Sequence, residues 1–427
     1  MIWMWIVAAV AISWLFCRKK VAWYHYIWML LPIEMYGVNI AGAMLKPYMI
    51  FGLLIIITCF TKGKGTRIPI GIFFCAFALM VSDILNGLVT ASIMQHVMFL
   101  FILYTAYSYV LLAQEDEEFL DSMREVTVAT TIGYGLVFAI AYTLYILRPD
   151  IPGVYTTDRY STGMVLRFLS TGGASIVRFR GFCIDPNSVV TTLIPGMAFS
   201  LQYLIYEKKN IVKNSLAVLL YVVVMITSGS RMALICTLLM AVIMLLAGYK
   251  LAENKGRWVL LLMLLTLGGT IIGTLRFQTI ANSLSEFMGS RAGLNDKAGR
   301  VTIWKYNISW LANNGRLLIG VGQNQIFKLT GMGKECHNTW LEWICGTGIL
   351  IGGGIICWFI SAPLRFARRT KQLGLTQYMS LLFAYVTTAV CITTVDNITN
   401  SVLIFLMIVF NYGNITSSKS VKGKGGK

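Results

Sequence analysis

The sequence predicts an all-α membrane protein, a polytopic bundle of about 12–13 transmembrane helices. Its 427 residues include only 13% charged residues, and their mean hydropathy is +0.70. Apolar runs of roughly 17–22 residues recur along the whole chain, and each is long enough to cross a hydrocarbon core of roughly 30 Å. No stretch has the composition of a separate soluble domain, so we expect one integral membrane domain over residues 1–427.

The apolar runs give the helix boundaries to within about two to four residues. The predicted helices are 1–17, 21–38, 46–60, 68–89, 92–113, 125–147, 188–206, 211–227, 231–249, 257–275, 338–360, 376–395 and 399–415. The segment 21–38 contains Pro32 and Glu34, so it is either a spanning helix or a re-entrant segment. The first run lacks a basic segment before it and a small-residue cleavage site, which favours a helix over a signal peptide.

The net charge of +18 raises the question of a nucleic-acid partner, and the distribution of the basic residues argues against one. Most of them lie in short connectors between apolar runs, as in cytoplasmic loops of membrane proteins. If the N-terminus is outside and the helices alternate, every such cluster falls inside. Two long connectors, 148–187 and 276–337, then lie on the extracytoplasmic side of the membrane.

Long loops in compact proteins are commonly functional, and the second connector contains a folding signal. Residues 301–311 place Ile303, Trp304, Asn307, Ile308 and Leu311 on one stripe. This spacing predicts an amphipathic helix that lies on the membrane surface or beneath the loop.

Cysteine usage predicts neither a metal site nor a disulfide framework. The nine cysteines show no metal-ligand spacing, and no cluster of Asp, Glu and His suggests a metal ion. We therefore expect no metal and no cofactor. Only Cys183 and Cys336 fall in the outside loops, where two free thiols are expected and a disulfide is the alternative.

Three outside corners each join basic or titratable residues to the start of a helix. The first corner is 178–187, where Asp185 and Pro186 form a good N-cap and first helical position. The second is 227–231, where Ser228 or Ser230 can cap a helix that begins at Arg231. The third is His337-Asn338. Helix starts offer free N–H groups and partial positive charge, so all three corners favour an anion such as phosphate.

Each of these residues also has a plainer interpretation. Arg178 and Arg180 can extend to lipid headgroups, and Arg231 can pair with a carboxylate such as Asp185 or Glu342. Arg291 and Arg300 lie in a polar loop, where solvated charge is the ordinary state. The neutral imidazole expected for His337 at a helix start can act as a general base, or the residue can be structural.

The order of these motifs resembles that of the bacterial O-antigen ligase and O-antigen or capsule polymerase family. The motifs are Thr227-Ser228-Gly229-Ser230-Arg231, Gly299-Arg300 with Trp304, Gly320-Val321-Gly322, and His337-Asn338-Thr339-Trp340-Leu341-Glu342 followed by Gly346 and Gly348. The run from Arg180-Gly181-Phe182 to Asp185-Pro186-Asn187 is similar to the family's motif before the preceding helix. Together they cover about residues 178–350.

The resemblance implies a metal-independent, inverting glycosyltransferase of the GT-C type. Its donor would be a glycan on undecaprenyl pyrophosphate, at the outer face of the bacterial inner membrane. By motif, Arg231 and Arg300 would bind the pyrophosphate with help from Arg180, and His337 would activate the acceptor hydroxyl. Arg291 matches the family less clearly. Supporting roles fall to Arg178, Asp185, Asn338 and Glu342, the two carboxylates by capping or orienting neighbours.

Three functions stay open on the sequence alone. The preferred one is a polymerase that joins lipid-linked repeat units of O-antigen, capsule or exopolysaccharide. A ligase that transfers the finished glycan to lipid A–core needs the same arginines and histidine. A transporter or flippase would also need cations for pyrophosphate, but it would not need His337. The expected partners are the donor, the acceptor glycan and the bilayer, with a chain-length regulator and a flippase as further candidates.

Overall fold

The computed structural model describes most of the chain. The described residues are 1–17, 20–40, 43–65, 68–87, 91–116, 118–158, 161–169, 175–251, 300–322, 325–331, 336, 338–370, 375–391 and 401–413. The side chains of Arg231 and Arg300 are not among the described ones. The predicted helix 257–275, the loop residue Arg291 and the candidate base His337 lie outside the described residues.

The protein is a multi-pass α-helical membrane protein, as predicted. Its longer helices are α1 (Ile2–Phe16), α3 (Pro47–Thr61), α4 (Ile70–Leu85), α5 (Ala91–Ala113), α6 (Phe119–Leu147), α7 (Pro186–Gln202), α8 (Ile211–Ser228), α9 (Arg231–Leu251), α10 (Arg300–Asn313), α12 (Thr339–Ile360), α14 (Leu375–Cys391) and α15 (Ser401–Tyr412). The short helices are α2 (Ile27–Leu30), α11 (Ile326–Leu329) and α13 (Ala362–Arg369). Within the described part, five helical segments have both the length and the hydropathy to cross a bilayer.

Helices α6, α7 and α8 pack against one another, and polar pairs join their ends. At one end of this group, Lys213 Nζ lies 2.6 Å from Glu125 Oε1, and Arg124 pairs with Glu207. At the other end, Arg178 donates to the carbonyl of Ser228 over 2.8 Å. We call this second end, which carries residues 148–185, the loop end. The pairs show that the three helices alternate in direction, as the sequence predicted for them.

The predicted helix 21–38 is wrong in its second half. A 3₁₀ turn (Trp23–Tyr26) leads into α2, which ends at Leu30. Pro32 explains the end, because its ring lacks an N–H and disfavours helical geometry at the preceding residue. The chain continues to Met35, whose N–H donates to the Phe182 carbonyl over 3.0 Å. A hairpin of β1 (Val38–Ile40) and β2 (Ala43–Leu45) follows.

The first long connector folds into a small sheet. Strand β4 (Val165–Leu169) pairs in parallel with β3 (Tyr155–Thr156) and antiparallel with β5 (Ser175–Phe179). Its inner side chains are apolar, and Val165, Leu166 and Phe179 are buried. The sheet therefore fixes the chain just before Arg180 and the start of α7, and it was not predicted from the sequence.

Close packing of α1 on α6 depends on Gly133. A Cβ atom at this position would lie 2.5 Å from the backbone nitrogen of Ser13 and 2.6 Å from the carbonyl oxygen of Ala9. Both are backbone atoms of α1, so they cannot move aside without moving the helix. The glycine therefore sets the distance between α1 and α6.

We expect Gly133→Ala to lower the free energy of unfolding in detergent by about 1–3 kcal/mol, because the new methyl group overpacks the α1–α6 contact. Gly354→Ala is the matched control. It also adds a methyl to a helix glycine, but no atom of the described residues lies within 4 Å of the new one. The control should be neutral or stabilising by up to about 1 kcal/mol. Equal effects of the two substitutions, measured by denaturant unfolding, would contradict the close-packing argument.

Candidate active site

Arg178 joins the first two corners predicted from the sequence. Its Nε donates to the Ser228 carbonyl over 2.8 Å, and one of its terminal nitrogens donates to Asn187 Oδ1 over 3.3 Å. Ser228 ends α8, and Asn187 lies in the first turn of α7. Gly229 lies beside the arginine stem, with Arg178 Nε 3.5 Å from where its Cβ would be. One side chain thus connects strand β5 with two helix ends.

Arg180 is fully buried and holds the loop before it. Its Nε donates to the Gly163 carbonyl over 3.2 Å, and one terminal nitrogen donates to the Gly163 and Ser161 carbonyls over 2.8 and 2.5 Å. Burial lowers the pKa of the guanidinium. The Tyr36 hydroxyl donates to the same Gly163 carbonyl over 3.1 Å. In this structure Arg180 faces its own loop, and its predicted contact with pyrophosphate stays a prediction.

The start of α7 is capped as the sequence predicted. Asp185 is the N-cap, and its Oδ1 accepts from the Asn187 N–H over 2.7 Å. Pro186 takes the first helical position, where its missing N–H costs nothing. The same carboxylate oxygen accepts from Asn187 Nδ2 over 2.6 Å. The cap therefore also orients the Asn187 side chain, whose Oδ1 accepts a hydrogen bond from Arg178.

The second corner is a tight link between α8 and α9. Gly229 follows α8 with φ +61°, a left-handed conformation that favours glycine. Ser230 Oγ then accepts from the Ala233 N–H over 3.3 Å. Ser230 is thus the cap of α9, one of the two serines that the sequence allowed, and α9 begins at Arg231.

The third corner is built around Cys336. Helix α10 confirms the amphipathic helix predicted over 301–311, since Ile303, Asn307 and Leu311 of its stripe are buried. From this helix, Trp304 Nε1 donates to the Cys336 carbonyl over 2.7 Å. Asn307 Nδ2 donates to Cys336 Sγ over 3.1 Å. Cys336 is thereby attached to α10.

Helix α12 supplies the other contacts of this corner. Its N-cap is Asn338, whose Oδ1 accepts from the Leu341 N–H over 3.1 Å. Glu342 Oε2 accepts from the Cys336 N–H over 3.4 Å. Cys345 Sγ lies 3.9 Å from Cys336 Sγ. The prediction of free thiols is confirmed for Cys183 and Cys336, since both are free and buried.

A break in α12 explains the glycines of the third and fourth motifs. Gly348 is non-helical, with φ +78° and ψ 171°. The chain at 317–322 lies against the break: Val321 and Gly322 N–H groups donate to the Cys345 and Gly346 carbonyls over 3.0 and 2.8 Å. The Ile349 N–H donates to the Leu317 carbonyl over 2.9 Å. Backbone hydrogen bonds thus join the loop to both halves of the broken helix.

A neighbouring helix also contacts this break. Ser82 Oγ on α4 donates to the Gly346 carbonyl over 2.8 Å. Next to it, the buried pair Asp83 and His96 has a 2.8 Å contact between Oδ2 and Nε2. Helix α4 is therefore part of the support of the third corner, which the sequence did not indicate.

The described structure brings the predicted residues into two groups. Strand β5 and the starts of α7 and α9 form one group around Arg178. The second group consists of the starts of α10 and α12 around Cys336. Arg231 is the first residue of α9, and Arg300 is the first described residue of α10. Tyr36, Ser82 and Cys345 support these groups without any motif that would have identified them from the sequence.

The described residues contain no group of three or more His, Cys, Asp or Glu side chains that could hold a metal ion. The polar atoms named above are hydrogen-bonded within the protein. This arrangement can present backbone N–H groups and cationic side chains to an anion at helix starts.

Comparison with known families agrees with the motifs. Residues 216–359 match the family model described as O-antigen ligase, which confirms the resemblance noted in the sequence. The matched range includes the second and third corners together with α9, α10 and most of α12. No curated protein matches the chain. The family implies a glycosyltransferase-like membrane enzyme that uses lipid-linked glycans.

We expect Arg178→Lys to lower the free energy of unfolding by about 1.5–3 kcal/mol, because a lysine cannot reproduce the two charge-assisted bonds of the guanidinium. Arg148→Lys is the control. Arg148 also pairs with a nearby group, Asp150, but both side chains are more than two-thirds exposed. The control should change stability by less than about 1 kcal/mol. A similar loss in both variants, measured by unfolding in detergent, would exclude the bridging role of Arg178.

The glycine at position 320 gives a second test of the site. A Cβ there would lie 2.5 Å from the Gly346 carbonyl carbon and 2.6 Å from the Gly348 nitrogen. Gly331 has a similar φ of +65°, but no atom within the described part of the chain lies within 4 Å of the added one, so its substitution measures mainly backbone strain. We expect Gly320→Ala to cost about 1–3 kcal/mol more than Gly331→Ala. Equal unfolding midpoints would mean that the loop does not pack on the break in α12.

Proposed function

We propose that this protein is a polymerase that joins undecaprenyl-pyrophosphate-linked repeat units into O-antigen, capsular polysaccharide or exopolysaccharide. The reaction would take place at the extracytoplasmic face of the bacterial inner membrane. The observation that carries the proposal is the O-antigen ligase match over residues 216–359, which includes Arg231, Arg300 and His337. Arg231 lies at the start of α9, a position that favours a bound anion.

The positions of Arg231 and Arg300 support a pyrophosphate site. Arg231 is the first residue of α9, where the helix dipole already places partial positive charge, and Arg300 is the first described residue of α10. A cation at this position is unfavourable by about 0.3–1 kcal/mol unless an anion lies nearby. A bound pyrophosphate would remove this cost. Its oxygens would also accept hydrogen bonds from free N–H groups at a helix start.

The proposed chemistry follows from the charge of the leaving group. As the glycosyl bond to pyrophosphate breaks, negative charge grows on the phosphate oxygens, and preorganised cations stabilise it. Arg231 and Arg300 would carry this role, with Arg291 and Arg180 as weaker candidates. His337 would take the proton from the acceptor hydroxyl. Inversion at the sugar carbon would result from attack opposite the departing pyrophosphate.

A ligase is the second candidate, because the matching family model carries that description. It would use the same donor groups and transfer the glycan to lipid A–core. The two reactions differ only in the acceptor. The test is therefore the choice of acceptor, with the donor chemistry held constant.

The experiment is chain formation by the purified protein. Undecaprenyl-pyrophosphate-linked repeat units are supplied with a metal chelator, and products are resolved on a gel. Wild type should give a ladder. We expect His337→Ala to slow transfer by about 100-fold or more, and Arg300→Ala by about 100- to 1,000-fold. Arg316→Ala is the control, because this exposed arginine lies in the same loop, and it should leave the ladder unchanged.

Other outcomes would revise the proposal in different ways. No ladder from repeat units, but transfer when lipid A–core is added, would identify a ligase. A ladder that disappears with chelator would contradict the metal-independent reaction. If a folded protein transfers glycan to neither acceptor, the enzyme proposal fails and a transporter becomes the leading function.

A further inference from the structure

Cys336 is contacted by two helices although it lies outside both of them. Trp304 and Asn307 approach from α10, and Glu342 and Cys345 approach from α12. Both backbone polar groups of Cys336 are bound, the carbonyl by Trp304 and the N–H by Glu342. The residue is completely buried in a small cluster with Leu311, Val321, Ile326 and Cys345. We call these contacts the Cys336 clamp.

The clamp holds one chain neighbour of residue 337, and the N-cap of α12 holds the other. Asn338 is fixed by its bond from the Leu341 N–H. Cys336 and Asn338, the two chain neighbours of His337, are therefore both held by hydrogen bonds. Trp304 lies one turn after Arg300 in α10, so the clamp also sets the distance between the two segments.

We propose that Trp304, Asn307 and Glu342 are positioning residues. They fix the backbone around residue 337 relative to the start of α10, where Arg300 lies. This inference rests on the proposed function, because it concerns the placement of its base and one of its cations. A displacement of reacting groups by about 1 Å can lower the rate by about 100-fold, so residues that touch no substrate can still limit turnover.

The thiol of Cys336 offers a measurement that does not depend on activity. Contact with Cys345, together with burial, raises the pKa of Cys336 well above its usual range. The thiol is therefore protonated and shielded, and it should react slowly with a maleimide reagent. Loss of the clamp should expose it and increase its rate of labelling.

The test compares Trp304→Phe and Glu342→Ala with a matched control. Trp304→Phe keeps a ring but removes the N–H that binds Cys336. Trp310→Phe makes the same change on the same helix, and Trp310 also packs against the buried cluster. Glu342→Gln keeps an acceptor oxygen for the Cys336 N–H. The rate of maleimide labelling at Cys336 is read by mass spectrometry of its peptide, beside kcat and KM for the donor in the transfer assay.

We expect Trp304→Phe and Glu342→Ala to increase labelling of Cys336 at least about 10-fold and to lower kcat by about 10- to 100-fold. The KM for the donor should change less than about 3-fold, because the donor contacts are retained. Trp310→Phe should resemble wild type in both measurements. Glu342→Gln should restore most of the activity lost in Glu342→Ala.

Several results would overturn the inference. Unchanged labelling in both variants would show that the clamp does not hold Cys336. Faster labelling with unchanged kcat would show that the segment is held without any effect on catalysis. A Trp310→Phe variant that loses as much activity as Trp304→Phe would assign the effect to general packing. If wild type transfers no glycan to either acceptor, the proposed function itself fails. The labelling rates still show, independently of activity, whether the clamp holds Cys336.

Discussion

A backbone N–H or carbonyl without a partner costs several kcal/mol in an apolar environment, and the contacts around the break in α12 satisfy this constraint. The break at Gly348 removes helical hydrogen bonds from α12. The segment 317–322 supplies replacements from outside the helix. Ser82 adds a further donor to the Gly346 carbonyl. The break is therefore stable because a loop from elsewhere in the chain completes it.

The same constraint gives the buried arginines their place. Arg178 and Arg180 both donate to backbone carbonyls, at Ser228 for one and at Ser161 and Gly163 for the other. These carbonyls belong to a helix end and a loop, where regular hydrogen bonding stops. Both guanidinium groups therefore supply hydrogen bonds that regular secondary structure does not supply there.

Sequence patterns predicted what depends on composition and local spacing. The apolar runs gave the helices to within a few residues at most ends, and the stripe from Ile303 to Leu311 gave α10. Asp185 was recognised as a cap, and Ser230 as one of two candidate caps with Ser228, because capping acts within three residues. The exception at 21–38 was signalled by Pro32 but not resolved by it. Whether a proline ends a helix or only bends it depends on what replaces the lost bonds.

Features that depend on distant contacts could not be predicted. Nothing local in Tyr36 shows that its hydroxyl meets Gly163, more than a hundred residues away. At Gly320 and Gly348 two backbones approach closely, which the local sequence does not show. The family motifs marked these positions without giving the reason. The Cys336 clamp has the same origin, since its bonds join a loop helix to a membrane helix.

The groups around Arg178 and around Cys336 are held by different kinds of contact, and the difference suits the proposed reaction. Around Arg178, a charged side chain donates to the Ser228 carbonyl at the end of α8 and to Asn187 Oδ1 in the first turn of α7. Around Cys336, neutral and carboxylate partners hold a backbone segment from both sides. A pyrophosphate site needs cations whose charge is retained, because charge stabilisation acts over several ångströms. A base needs exact placement far more than it needs a field, because proton transfer requires hydrogen-bond distance. The proposed reaction therefore takes a cation from each group, Arg231 from the first and Arg300 from the second, and takes its base from the residue that follows Cys336.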